Sequence, residues 1–115
     1  MMIRYYYLRD RGTNAPRVTK CIVRNKEGDV AIGSAICSFM DIPNKRVGRR
    51  IAYNRAMYAL NKNMNVLPIE SQKARSILSS VPQGGLDGHK GVFLHRKEMT
   101  EYLTSFEKRL LRIEE

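Results

Sequence analysis

The 115 residues make one domain's length of chain, 43% hydrophobic and 28% charged, with six Tyr, three Phe, no Trp and a formal net charge of +10. That composition supports a real core and argues against bulk disorder, and there is no run of about 18 apolar residues that would cross a membrane. The opening Met1-Met2-Ile3-Arg4-Tyr5 lacks a secretory signal's apolar stretch, and two cysteines, Cys21 and Cys37, are too few for a disulfide scaffold, so a reducing, cytoplasmic setting is expected.

Ile3 to Leu8 reads as a strand rich in Tyr and bulky residues, followed by turn chemistry from Asp10 to Pro16, where Gly12, Asn14 and Pro16 break the run. Arg17 to Arg24 is a second strand. Val18, Lys20, Ile22 and Arg24 share one face of it, and Thr19, Cys21 and Val23 the other. Asn25-Lys26-Glu27-Gly28-Asp29 reads as a hairpin connection, with Gly28 suited to positive φ. Val30 to Phe39 is the third strand. Its Val30, Ile32, Ser34 and Ile36 line one face, and the smaller Ala31, Gly33, Ala35 and Cys37 leave the other open to a closely packed helix.

That helix is expected from about Asn44 to Asn61 or Asn63, with Asp41 or Asn44 as N-cap and Pro43 tolerated near its first turn. At about 100° per residue, Gly48, Ile51, Ala52, Ala56, Ala59 and Leu60 form one face, opposite Arg46, Arg50, Met57 and Asn61. Val66-Leu67-Pro68 then leads into a short helix from about Ser71 to Ser80. Pro82 to Gly91, with four glycines, reads as a loop, and its spacing fails the Walker phosphate-loop pattern. Val92-Phe93-Leu94 is a short strand or extended anchor. His95 to Glu115 reads as a final amphipathic helix striped by Met99, Tyr102, Leu103, Phe106, Leu110 and Ile113, a stripe that is also a candidate seam for a homodimer. The expected class is α+β: a three-stranded antiparallel sheet with a packed helix, plus two C-terminal helices. Residues 1–63 form a basic βββα unit and 64–115 a helical annex of the same domain.

Charge is concentrated in the first half. Residues 1–62 carry thirteen Lys/Arg against Asp10, Glu27, Asp29 and Asp41, whereas residues 63–115 carry eight against seven acids. Such a field concentrates an anionic partner, most commonly nucleic acid inside a cell. The long helix opens on Lys45, Arg46, Arg49 and Arg50 with no acid among them. Cations at a helix N-terminus oppose the macrodipole and cost about 0.3–1 kcal/mol each, so their placement points to use rather than to stability.

Strand, turn, strand, hairpin and strand, then Lys45-Arg46-Val47-Gly48-Arg49 followed by Ile51-Ala52, Ala56, Ala59 and Leu60, resembles the double-stranded RNA-binding domain over roughly residues 3–61. That family's last helix opens on a Lys-Lys-x-Ala-Lys motif and continues in alanines against a three-stranded sheet. The resemblance implies that Lys45, Arg46 and Arg49 grip phosphates across the RNA major groove. It also implies that the loop Gly12 to Arg17, with Arg11, Asn14 and Arg17, enters a minor groove. The family's leading helix and loop His have no counterpart in this sequence. A three-strand-plus-helix unit is also similar to the arm-binding domains of phage integrases, which place the sheet in the DNA major groove. Ser34-Ala35-Ile36-Cys37-Ser38, Gly48-Arg49-Arg50-Ile51-Ala52 and Arg55-Ala56 are together similar to small uncharacterised phage proteins.

The remaining candidates are structural by default. Arg55, at the edge of the apolar arc, needs a partner such as Asp29, Asp41 or a C-terminal carboxylate. Tyr5, Tyr6 and Tyr7 alternate across their strand and serve packing, with base stacking as the other use of an exposed ring. His89, His95 and two strand cysteines give no zinc spacing, and no catalytic residue, metal or cofactor is expected. The expected activity is non-catalytic binding of duplex RNA or DNA through Lys45, Arg46, Arg49 and Arg50, with Arg11, Arg17, Lys20 and Arg24 extending the footprint. The alternative is a small phage-type factor or inhibitor that docks the basic face on an acidic host protein.

Overall fold

In the computed structural model the described residues are 1–37, 42–68, 89–97 and 102–113, with backbone alone at 67 and 68. Strands β1 (Met2–Arg9), β2 (Pro16–Arg24) and β3 (Val30–Ile36) make an antiparallel meander. Polar side chains shape its turns. Asp10 accepts the Gly12 amide at 2.8 Å, and Asn14 takes the left-handed conformation at φ 59°. In the second turn Asn25 accepts the Asp29 amide at 2.9 Å, and Gly28 sits at φ 90°. A residue with no Cβ meets no steric cost there. The third strand ends at Ile36; Ser38 and Phe39 lie outside the described residues.

Helix α1 (Lys45–Lys62) starts where Asn44 accepts the Val47 amide at 3.1 Å and stops where Asn63 turns left-handed at φ 53°. Its buried Ala52, Ala56, Ala59 and Leu60 pack on Cys21 and Val23 of β2 and on Ala31 and Ala35 of β3. The approach is closest at Gly33, where a Cβ would overlap the Ala52 carbonyl oxygen and the Ala56 nitrogen. Met57, expected to face solvent, is half-buried against this cluster, as an unbranched, flexible thioether can be from the edge of an apolar face.

The sheet has five strands rather than the expected three. β5 (His89–Leu94) pairs antiparallel with β3, from Val30↔Leu94 to Gly33↔Gly91, and β4 (Val66–Pro68) pairs with the outer side of β5. The order is β1-β2-β3-β5-β4. Pro68, which has no N–H, lies on an edge strand, where a missing donor is tolerated. Val66–Pro68 and His89–Leu94, in the half of the chain expected to be helical, therefore contribute strands to the main sheet. His89, Lys90 and Gly91 belong to β5 instead of the glycine loop. Val92-Phe93-Leu94 alone is too short to declare a strand, and only the open edge of β3 extends it. The helix expected over 71–80 and the rest of the glycine loop lie outside the described residues.

The final helix is also shorter than its periodicity suggests. His95 to Lys97 are not helical, and helix α2 covers only Ser105–Leu110. Thr104 starts it as a capping box: its hydroxyl accepts the Glu107 amide at 3.1 Å, and Glu107 accepts the Thr104 amide at 2.9 Å. A Thr-x-x-Glu box overrides the apolar stripe that runs through it. Leu103 and Leu111, with half-buried Leu110 and Ile113, close over Ile22, Val30, Ile32, Val92 and Leu94, whereas Tyr102 and Phe106 of the stripe stay exposed. Met99 lies outside the described residues. Both faces of the sheet are thus covered, and Leu103, Leu110 and Ile113 of the proposed dimer seam are used within the chain. Among the described residues no helix is long and apolar enough to cross a membrane.

Glu107 ties this segment to β1. Its second oxygen accepts the Tyr6 hydroxyl at 2.5 Å, and Phe106 meets the Tyr6 ring edge-on at 5.3 Å. Burial first, then the Glu107 charge, raise the Tyr6 pKa, so the phenol remains a donor well into alkaline solution. Glu107→Ala should cost about 2–4 kcal/mol, because it orphans the Tyr6 hydroxyl and removes half of the capping box. A urea melt reads this directly. An unchanged midpoint would show that the C-terminal segment does not hold the sheet.

Candidate nucleic-acid interface

The first turn of α1 contains no acid. Lys45, Arg46 and Arg50 are exposed, and Arg49 is half-buried. Among the described residues no carboxylate pairs with any of the four. Lys45 instead places Nζ 4.8 Å from the centre of the Tyr7 ring, and Arg49 donates to the Tyr7 hydroxyl at 2.8 Å. The helix start lies across the end of the sheet that carries the β1–β2 turn. Gly48 sits against Thr19, where an added Cβ would meet Oγ1 at 2.5 Å. Arg11, exposed on that turn, therefore shares an end of the molecule with the helix cations. Arg17 is half-buried at the base of the same turn and donates to Cys37 Sγ at 3.8 Å.

Two members of the expected footprint lie away from the exposed helix cations. Lys20 is only 3% exposed, on the sheet face covered by the C-terminal segment, between Tyr6 and Ser34 in the cross-strand row. The strand alternation was correct, but that face is not open. Arg24 pairs with Met2 and Val30 at the opposite end of the sheet. It stands seven positions along the strand from Arg17, roughly 23 Å at about 3.3 Å per residue.

Arg55 makes no ion pair among the described residues, and Asp41, one of its expected partners, lies outside them. It donates to the Ser34 carbonyl at 2.7 Å, one residue past the last β3–β5 pair, and so satisfies backbone that β5 leaves behind. Burial lowers its pKa from the usual arginine value. Asp29, one of its expected partners, accepts the Arg96 amide at 3.0 Å. Tyr5 packs against the α1 core beside Cys21, whose thiol burial raises to about 11. Tyr6 is held by Glu107, and Tyr7 by Lys45 and Arg49. Sequence reasoning treated Tyr7 as one of three alternating rings; no local signal ties it to cations some forty positions away.

Comparison with protein-family models, with curated proteins and with solved structures returns no match. The chemistry of the site has to carry the reading. It offers two i, i+4 cation pairs, Lys45 with Arg49 and Arg46 with Arg50, on adjacent stripes of one rigid helix, and each pair repels itself. An anion laid across them removes that repulsion.

Proposed function

We propose that this chain binds duplex nucleic acid without catalysing a reaction on it. Phosphate contacts come from Lys45, Arg46, Arg49 and Arg50, joined at the neighbouring turn by Arg11 and Arg17. The observation that carries the reading is the set of four cations on the first two turns of α1, none neutralised by a carboxylate among the described residues. A rigid helix with unopposed charge fits a regularly spaced polyanion better than a small anion. The likeness of residues 3–61 to the double-stranded RNA-binding domain supports RNA as the first duplex to try, with the cytoplasm as the setting.

Fluorescence anisotropy with duplex RNA, duplex DNA and single strands at two salt concentrations tests this. The expected result is a duplex affinity that falls steeply with salt and varies little with base sequence. Absence of binding to all three nucleic acids at low salt overturns the proposal, and tight binding to one acidic protein under the same conditions replaces it.

A further inference from the structure

We infer that Tyr7 is a positioning residue for this interface, holding Lys45 and Arg49 in place for phosphates without cancelling their charge; the inference rests on the nucleic-acid reading above. Lys45 and Arg49 stand one helical turn apart and repel each other. A protein that needed only stability would answer that repulsion with Asp or Glu. Here the neighbour is a neutral phenol on β1, which offers each cation the part of itself that is electron-rich. Lys45 lies 4.8 Å over the ring, and Arg49 donates to the hydroxyl oxygen at 2.8 Å. A π face attracts an ammonium through its quadrupole, and a hydroxyl lone pair accepts from a guanidinium. Both long side chains are thereby ordered while their full positive charge stays available.

Ordering these side chains before binding removes part of the entropic cost that a flexible Lys or Arg meets on a phosphate. Arg46 and Arg50, on the neighbouring stripe, have no such support among the described residues. The two stripes therefore differ: Lys45 and Arg49 set where the backbone docks, and Arg46 and Arg50 add attraction. The arrangement also bears on the class of nucleic acid. Lys45 occupies a face of the Tyr7 ring, the surface on which an unpaired base would stack. The site reads backbone, which favours duplexes over single strands.

Tyr7→Phe keeps the ring under Lys45 and removes only the acceptor for Arg49, so folding is preserved and a urea melt verifies it. Duplex binding by Tyr7→Phe should weaken about 3–10-fold, the scale of one side chain's lost preorganisation. The salt slope should stay as in the unsubstituted protein, because no cation is lost. In an Arg49→Gln background Tyr7→Phe should have no further effect. Additive losses in that double-mutant cycle, or a neutral Tyr7→Phe, would overturn the positioning role. If Tyr7→Ala harms single-strand binding more than duplex binding, the ring is a stacking surface and the inference fails while the parent reading survives. If the unsubstituted protein binds no duplex at any salt, both fall together.

Discussion

Replacing Lys45, Arg46, Arg49 and Arg50 together by Gln is expected to flatten the log–log salt dependence of duplex binding by about 3–4 units, at about 0.9 per phosphate contact on B-form DNA. At low salt, where released counterions matter most, the affinity should drop by orders of magnitude. The same substitutions should not destabilise the fold. Four cations leave the positive end of the α1 dipole, each having cost about 0.3–1 kcal/mol, less what salt screens. The lost contacts of Lys45 and Arg49 with Tyr7 offset part of that gain. A thermal midpoint equal to or slightly above the original, with binding largely abolished, is the expected pair of results. Opposite signs for stability and binding mark residues kept for a ligand. An unchanged salt slope would remove the helix start from the interface, and a strongly lowered midpoint would make these four structural.

Gly33→Ala should be the most damaging single substitution in the sheet. The added Cβ would meet the Ala52 carbonyl oxygen and the Ala56 nitrogen, which are backbone atoms that no rotamer change can move. α1 would have to lift off β3, losing the alanine contacts that bury Ala52, Ala56 and Ala59. Overpacking typically costs about 1–3 kcal/mol where side chains can yield; against backbone the loss should reach about 3 kcal/mol or more. That is a large share of the roughly 5–15 kcal/mol available to a domain. Gly12→Ala is the control. Its nearest atom is Asp10 Oδ1 at 3.4 Å, on an exposed turn, so its urea midpoint should barely move. If Gly33→Ala melts like the unsubstituted protein, the helix does not rest on β3 as described. Because α1 carries the cations, the same substitution should also weaken duplex binding.

The features legible in the chain are those with local causes. The meander β1–β3 follows from period-two alternation and from turns closed by Asp10, Asn25 and Gly28. α1 follows from Asn44, Asn63 and a small-residue face that matches Ala31, Gly33 and Ala35. The helix cations could likewise be singled out, because their conflict with the dipole is a property of one helix. The misread features have distant causes. His89 to Leu94 is a strand because the edge of β3, some sixty positions earlier, has no other partner among the described residues. The C-terminal stripe looks like a long helix until Thr104 caps it and Glu107 turns towards Tyr6.

The interface divides in the same way. Sequence alone determined where positive charge accumulates and that the start of α1 bears it against its own stability, since both depend on residues within two turns of each other. Only the tertiary structure decided which cations can meet a ligand. It buried Lys20 between Tyr6 and Ser34, carried Arg24 to the far end of the sheet, turned Arg55 to a backbone carbonyl and set Tyr7 beneath Lys45 and Arg49. Alternation along a strand says which residues share a face but not whether that face is covered. The segment that packs over Ile22 on that face lies more than eighty residues further along the chain, where no local pattern reaches.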